Sequence, residues 1–526
     1  MSVGKVYLVG AGPGMPDLIT LRGVKCLHEA DVVIYDFLAA NLLQHVPAGT
    51  ETIYVGKKQG KHTVHQEAIN QMLVDHAREG RAVVRLKGGD PFIFGRGGEE
   101  ARVLAAHRIP FEVVPGVTAG VAAATFAGIP LTMRGYNTSV AFVTGHEDPT
   151  KLVSTIEWSK LAAGVGTLVI FMGVKNLADI VERLIVGGRD PQTPTAVVRW
   201  GATPSQFTVV GTLDTIVDRV RESGLKPPAV IIVGKVVELR DQINWFEEKP
   251  LFGKTVVVTR TRQQASELVA KLSALGAECL ECPTIEVVPP DDWSPLDRAI
   301  ERLERYDWLV LTSVNGVNFF FERLFQQGRD VRSLGGVRTA SIGPATARRL
   351  RDFGLKSDII PESYVAESVI DAFQEETLEG KRILLPRAKE ARPILPVELR
   401  KMGGHVDEIA AYQTEQVSEG MDRLIGRLED HTVDLVTFTS SSTVKNFKTA
   451  VPPDRFDELM SGVKTACIGP ITAETATQLG FNVDIEATEY TIPGLCEAVL
   501  AYYTNVSSIS DETSAGSCGV EKGIGS

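Results

Sequence analysis

Arg85–Glu100 reads RLKGGDPFIFGRGGEE, and the first half of the 526-residue chain is organised around it. The apolar run Ala82-Val83-Val84 leads in as a short buried strand, which Gly88-Gly89-Asp90-Pro91 breaks sharply. Two adjacent glycines let backbone amides and carbonyls approach a ligand, because no Cβ stands in the way. Asp90 can accept hydrogen bonds from a ribose or an amino group, and Pro91 stiffens the turn. After the apolar plug Phe92-Ile93-Phe94, Gly95-Arg96-Gly97-Gly98 presents a cation on a pliable backbone. Glu99 and Glu100 then open a helix, where acids suit the positive end of the dipole. An ordinary strand–turn–helix corner is the bland alternative. So much glycine and charge in one short stretch favours a binding loop.

Length alone implies two to four domains. No apolar run reaches the ~20 residues that a membrane span needs. MSVGKVYLVG runs straight into a strand with no secretory pattern, so a cytoplasmic protein is expected. The cysteines at 26, 279, 282, 467, 496 and 518 are too scattered for a disulfide framework. Cys279 and Cys282 form a lone CxxC, read as strand packing ahead of a redox or zinc role, and no metal site is expected. A net charge of −11 argues against nucleic acid. Any anionic substrate must therefore be held by local clusters of Arg and Lys.

Lys5–Gly10 is a buried strand leaving through Gly10-Ala11-Gly12-Pro13-Gly14. A dinucleotide-binding turn is one reading, but Pro13 interrupts the expected helix entrance, and a lone glycine turn is weak evidence. Asp31–Asp36 is a second strand, ending in a carboxylate at the edge where open α/β sheets bind ligands; a helix cap is the alternative for Asp36. Lys57, Lys58 and Lys61 form a basic loop that could equally be a solvated charge run. Phe111–Gly116 is another strand and glycine turn, and the small residues from Val117 to Ala124 allow close packing. Arg134, in GIPLTMR, is a further candidate anion ligand at a crossover into a second α/β unit.

Together VYLVGAGPG, VVRLKGGDPFIFGRGGEE, VVPGVTA, GIPLTMR, FMG and PPAVIIVGKVVELRDQINWFE resemble uroporphyrinogen-III C-methyltransferase of the tetrapyrrole methylase family, over about residues 4–247. The resemblance implies a two-domain fold with a cleft between sub-domains of about 1–133 and 134–248, and a homodimer formed through this half. It implies S-adenosylmethionine as donor and uroporphyrinogen III as acceptor, methylated twice to precorrin-2. It places Pro13, Gly88, Gly89, Asp90, Ile93, Thr118, Ala119, Met172 and Gly201 at the cofactor. It places Arg96, Glu99 and Arg134 at the tetrapyrrole, and Asp36 and Lys57 at the proton transfers. The acceptor's eight carboxylates need clustered arginines, since Arg grips carboxylate bidentately. Met15, Phe37 and Met133 stand where the family pattern has Asp, Arg and His.

Asn244–Gly253 reads as a short polar linker, after which the chain repeats itself. Asp307–Phe319 matches Asp434–Phe447, and Ala340–Ala347 (ASIGPATA) matches Ala466–Ala473 (ACIGPITA). Two copies of one α/β unit are expected, each with a strand followed by a Thr-Ser helix cap, Thr312-Ser313 and Thr439-Ser440. Capped helix N-termini suit carboxylates, and the strand-end arginines Arg260, Arg262 and Arg387 favour a polyanionic ligand over plain caps.

This half resembles uroporphyrinogen-III synthase over about residues 253–503. The resemblance implies a two-lobed parallel α/β fold, with one lobe at 253–287 plus 413–503 and the other at 288–412, within a domain of 249–503. It also implies cofactor-free cyclisation of hydroxymethylbilane with inversion of the last ring, and Tyr412 as the group that helps the hydroxyl leave. Thr312, Ser313, Thr439 and Ser440 are the expected substrate contacts. The alternative is a non-catalytic tetrapyrrole-binding module beside an active methyltransferase. Residues 504–526, rich in Ser and Gly, are expected to be disordered.

Overall fold

The computed structural model describes residues 3–47, 49–56, 64–146, 155–259, 262–283, 285–361, 366–416 and 420–515. They divide into two compact units, one drawn mostly from residues up to Thr255 and the other from Val256–Ala270 and Cys279–Val499.

The first unit holds two five-stranded sheets. Strands β1 (Val6–Gly10), β2 (Val32–Tyr35), β3 (Glu51–Tyr54), β4 (Val83–Lys87) and β5 (Phe111–Val114) pair in the order β3-β2-β4-β1-β5, parallel throughout. Such strands are covered on both faces and read as continuous apolar runs. The register pairs Gly10 with Lys87, so the glycine turns after β1 and β4 emerge at one edge. Strands β6 (Val140–Thr144), β7 (Thr167–Phe171), β8 (Pro194–Arg199), β9 (Phe207–Thr212) and β10 (Ala229–Val233) form the second sheet, in the order β6-β7-β10-β8-β9. Only β6 and β7 run parallel there; the other pairs are antiparallel.

The helix Ala119–Phe126 leaves β5 of the first sheet, and its Ala123 and Ala124 are buried with Val169, Ala196 and Val230 of the second. Its small residues allow that approach. A Cβ on Gly120 would lie 2.6 Å from the Phe171 ring. The 244–253 segment is not the polar linker expected: Phe246 and Leu251 are fully buried, and Phe246 packs on Phe126 and Phe252. Four large apolar side chains outweighed its charged residues.

In the second unit, β11 (Thr255–Val258) and β12 (Glu278–Glu281) are followed by β13 (Ile285–Val288), β14 (Trp308–Leu311), β15 (Arg338–Ser341), β16 (Arg382–Ala388) and β17 (His405–Gln416). The chain then returns through β18 (Leu435–Phe438), β19 (Lys464–Cys467) and β20 (Ile485–Glu486). One sheet has the order β12-β11-β18-β19-β20 and the other β13-β17-β16-β14-β15, so the first is discontinuous in sequence. β11 and β19 pair parallel with β18, β20 with β19, β15 and β16 with β14, and β17 with β16, whereas β13 meets β17 antiparallel. The tail departs from expectation: a helix spans Ile492–Ala515, because no glycine or proline interrupts it between Gly494 and Gly516. Residues 516–526 lie outside the described residues.

Candidate active sites

Between the two sheets of the first unit lies a cleft of about 460 Å³. Pro13, Gly88, Gly89, Asp90, Ile93, Thr118, Ala119, Met172 and Gly201 all line it. These nine come from strand ends 188 positions apart in sequence (201 minus 13), brought together by the register of β1, β4 and β5 and by the helix that follows β5. The glycines set its shape. Gly12 and Gly89 exchange backbone hydrogen bonds of 3.2 and 2.7 Å, with Gly89 at φ +68°. A Cβ on Gly116 would lie 2.3 Å from the Gly89 carbonyl oxygen, and one on Gly10 would lie 2.5 Å from the Gly116 nitrogen. Three strand ends thus meet backbone to backbone.

Asp90 fixes this corner, since its carboxylate accepts from the Phe92 amide at 2.8 Å and from the Gly116 amide at 3.0 Å. Each oxygen keeps a further lone pair for a ligand donor. Also lining the cleft, Phe94, Met172 and Trp200 adopt φ of 53°, 55° and 51°, a costly region for bulky residues that clusters at functional sites. The sequence reading missed Phe94, Phe171 and Trp200 as lining residues. Phe94 and Phe171 stand 5.1 Å apart, while Trp200 meets Phe37 edge-on at 6.1 Å. The substitution of Phe at 37 thus gives Trp200 an aromatic neighbour. Met15 is likewise absorbed by packing, against Ala122, Phe126 and Phe246.

Beneath the loop lies a charged network that the sequence reading did not see. Glu100, fully buried, accepts from Lys87 at 3.0 Å, Arg85 at 3.3 Å and Gln66 at 3.0 Å through one oxygen. Its other oxygen has no hydrogen-bond partner. Burial, and then the Arg85 charge, pull the Lys87 ammonium pKa below its usual value. Arg85 also reaches Asp36 at 3.6 Å, and Asp36 accepts from the Leu38 amide at 3.2 Å as the cap of Phe37–His45. Asp36 is therefore both a helix cap and a carboxylate held by a buried cation.

Arg96 and Glu99 line a second, open hollow that shares Phe94 and Met172 with the cleft. They are joined by two hydrogen bonds of 2.9 and 2.7 Å, which hold the Glu99 carboxyl below its usual range. Arg134 is not brought to either hollow; it stands exposed on the loop before β6. Lys57 and Arg260 lie outside the described residues, as does the side chain of Arg262.

In the second unit the sequence repeat is a geometric one. Ser313 and Ser440 follow β14 and β18 with φ/ψ of −164°/158° and −167°/158°, and each accepts from the amide three residues on, at 2.9 and 3.4 Å. Gly343 and Gly469 enter the next helices through Pro344 and Pro470. Thr312 and Thr439 are half-buried beside the caps. No hydrogen bond joins the two Thr-Ser pairs among the described residues.

One lobe carries more. The Tyr412 hydroxyl is 2.9 Å from Ser313 Oγ, its ring stacks on Phe319 at 5.7 Å, and burial pushes its pKa up. The nearby Arg387 guanidinium is buried, with its Nε unpartnered, and desolvation lowers its pKa. Cys282 is core packing beside Val257 and Phe438, its thiol pushed up to about 11 by burial.

Residues 5–217 match the family described as tetrapyrrole (corrin/porphyrin) methylases, and residues 266–497 match uroporphyrinogen-III synthase HemD. A uroporphyrinogen-III C-methyltransferase of Priestia megaterium is 53% identical over 236 residues, covering 45% of this chain and 99% of that protein. Among solved structures, the uroporphyrin-III C-methyltransferase of Thermus thermophilus complexed with S-adenyl homocysteine is 42% identical. It has a TM-score of 0.39, with 45% of this chain and 100% of that one covered. A porphyrin biosynthesis protein HemD of Ruminiclostridium josui is 38% identical over 501 residues, or 95% of this chain and 98% of that protein. The chain belongs to the family of that HemD protein, with a tetrapyrrole methylase and a uroporphyrinogen-III synthase joined in one polypeptide.

Proposed function

We propose that the chain catalyses two consecutive reactions: cyclisation of hydroxymethylbilane to uroporphyrinogen III by residues 249–503, and double C-methylation of that product to precorrin-2 by residues 1–248. The observation that carries the methylation reading is the convergence of nine motif positions on one cleft. Its volume lies in the range of small-ligand sites, and glycine walls fit a donor approached by backbone. S-adenosylmethionine, when bound there, supplies an electrophilic methyl group. Asp90 and the Gly88-Gly89 backbone hold the polar end of the donor, and Phe94, Phe171 and Met172 exclude water. Glu99 orients the Arg96 guanidinium toward an acceptor carboxylate. Each methylation leaves a proton to be removed from the ring system, and Asp36, steadied by Arg85, takes it at a carboxylate oxygen.

For the second unit, Tyr412 supports catalysis over mere binding. The buried phenol keeps its proton at rest and passes it to the hydroxyl as the C–O bond breaks, so that water leaves; the proton shed by the pyrrole carbon on ring closure restores the phenol. Thr312, Ser313, Thr439 and Ser440 position the carboxylates of the bilane. We assign homodimerisation to the methylase half, which sedimentation of residues 1–248 tests.

Anaerobic incubation with hydroxymethylbilane, with and without S-adenosylmethionine, tests both reactions. Uroporphyrinogen III without the donor and a dimethylated dipyrrocorphin with it are expected. Uroporphyrinogen I from spontaneous closure would reduce the second unit to a binding module.

A further inference from the structure

The second unit has a hollow of about 390 Å³ that the cyclisation reading does not use. It opens where β16 and β17 begin, whereas Tyr412 lies opposite the end of β16 and Ser313 follows the end of β14. From Arg382 to Ala388, which pairs with Tyr412, the strand advances six residues, roughly 20 Å. Arg298, Arg302, Arg305, Arg382 and Arg400 line the hollow, in a chain of net charge −11.

Two acids also line it, and both are engaged. Asp407 accepts from the Tyr306 hydroxyl at 2.6 Å, and Glu408 lies between Arg387 at 3.5 Å and Arg400 at 3.8 Å. Among the described residues, Arg302, Arg305 and Arg382 make no ion pair. The floor is backbone as well as side chain. β13 pairs only with Gln413–Gln416, so the first half of β17 is paired on the β16 side alone among the described residues.

We propose that this hollow is a binding site for a polycarboxylate, separate from the Tyr412–Ser313 corner. Its guanidinium groups come from four places: the helix Ser294–Ile300, the turn after it, the start of β16 and the helix Ile394–Lys401. Cations spread in this way suit an anion with several separated carboxylates better than one compact phosphate, and each fork can hold a carboxylate bidentately. The occupant with that chemistry is a tetrapyrrole bearing acetate and propionate arms; this identity, though not the site, rests on the proposed function.

Uroporphyrin I, an aromatic octacarboxylate that neither reaction consumes, is the probe. Fluorescence titration of the full-length wild type is expected to show one more bound equivalent per chain than the R302Q/R305Q variant, lost as salt rises. Cyclisation and methylation rates should be unchanged, which also reports that the variant folds. Equal stoichiometry in both proteins would overturn the site. Displacement of that extra equivalent by micromolar inorganic pyrophosphate would overturn the carboxylate assignment in favour of a phosphate ligand. Loss of the equivalent in proteins that perform neither reaction would sink the proposed function and leave the site standing.

Discussion

The cleft of the first unit is built of backbone, and the strand ends of the second are built of hydroxyls. Gly10, Gly89 and Gly116 meet main chain to main chain, and even Asp90 is turned toward amides. In the second unit Ser313 and Ser440 cap helices in near-identical geometry, and one tyrosine distinguishes the two lobes. A backbone-built site tolerates almost no change, whereas a hydroxyl-built site can lose members one at a time. The two halves should therefore respond to mutation on different scales.

The largest effect is expected at Glu100→Ala, which leaves Arg85 and Lys87 buried without their shared carboxylate. Breaking a buried ion pair in this way costs about 3–5 kcal/mol. In calorimetry the transition of the first unit should fall sharply while that of the second stays in place. An unmoved first transition would mean that the network adds nothing to the loop it underlies. Next comes Tyr412→Phe, which removes only the hydroxyl facing Ser313. Loss of a proton donor to the leaving group should slow cyclisation by about 10²-fold, with methylation unchanged. Equal cyclisation rates would leave the second half to work by shaping its substrate alone.

The same contrast explains what could be read from the chain. Strand–glycine turns are local signals, and the all-parallel first sheet reads as apolar runs, so the strand ends that form the cleft were legible. Strand direction in the second sheet was not, because side-chain periodicity carries no information about whether a neighbour runs up or down. Arg85 and Lys87 alternate along β4 as solvent-facing charges would, and only the tertiary fold brings Glu100 over them. Phe94, Met172 and Trp200 carry left-handed backbones that their identity argues against. In the second half the repeat announced the two Thr-Ser corners, but the contact between Ser313 and Tyr412 spans 99 positions and had no local signal.

Gly116→Ala and Ser440→Ala test the two building principles directly. The added methyl at 116 would lie 2.3 Å from a backbone oxygen, so strands must shift; overpacking of this kind costs about 1–3 kcal/mol and should disturb the Gly116 amide that Asp90 accepts. Isothermal titration with S-adenosylmethionine should show the loss of affinity. Ser440→Ala removes one helix cap, about 1 kcal/mol, and should barely slow cyclisation. Equal losses of activity in the two variants would erase the distinction between the halves.

The smallest effect lies on the surface of the first unit. Glu112 binds Lys5 at 2.7 Å and Arg22 at 2.8 and 2.9 Å, and these cations, Arg22 foremost, bring its carboxyl down to about 2. A free glutamate titrates near 4.3, so the folded value lies below the unfolded one. The stabilisation is then complete above about pH 4.3 and is lost as pH falls through about 2. With the pair partly open to water, it amounts to about 0.5–1 kcal/mol. Glu112→Gln should lower the melting temperature of the first unit slightly at pH 7, and the gap from wild type should close between pH 4 and pH 2, as the folded value of about 2 requires. A gap that persists below pH 2 would place the effect in the packing of the side chain rather than in its charge, and the same scan leaves the second transition, which Glu112 does not touch, as the internal reference.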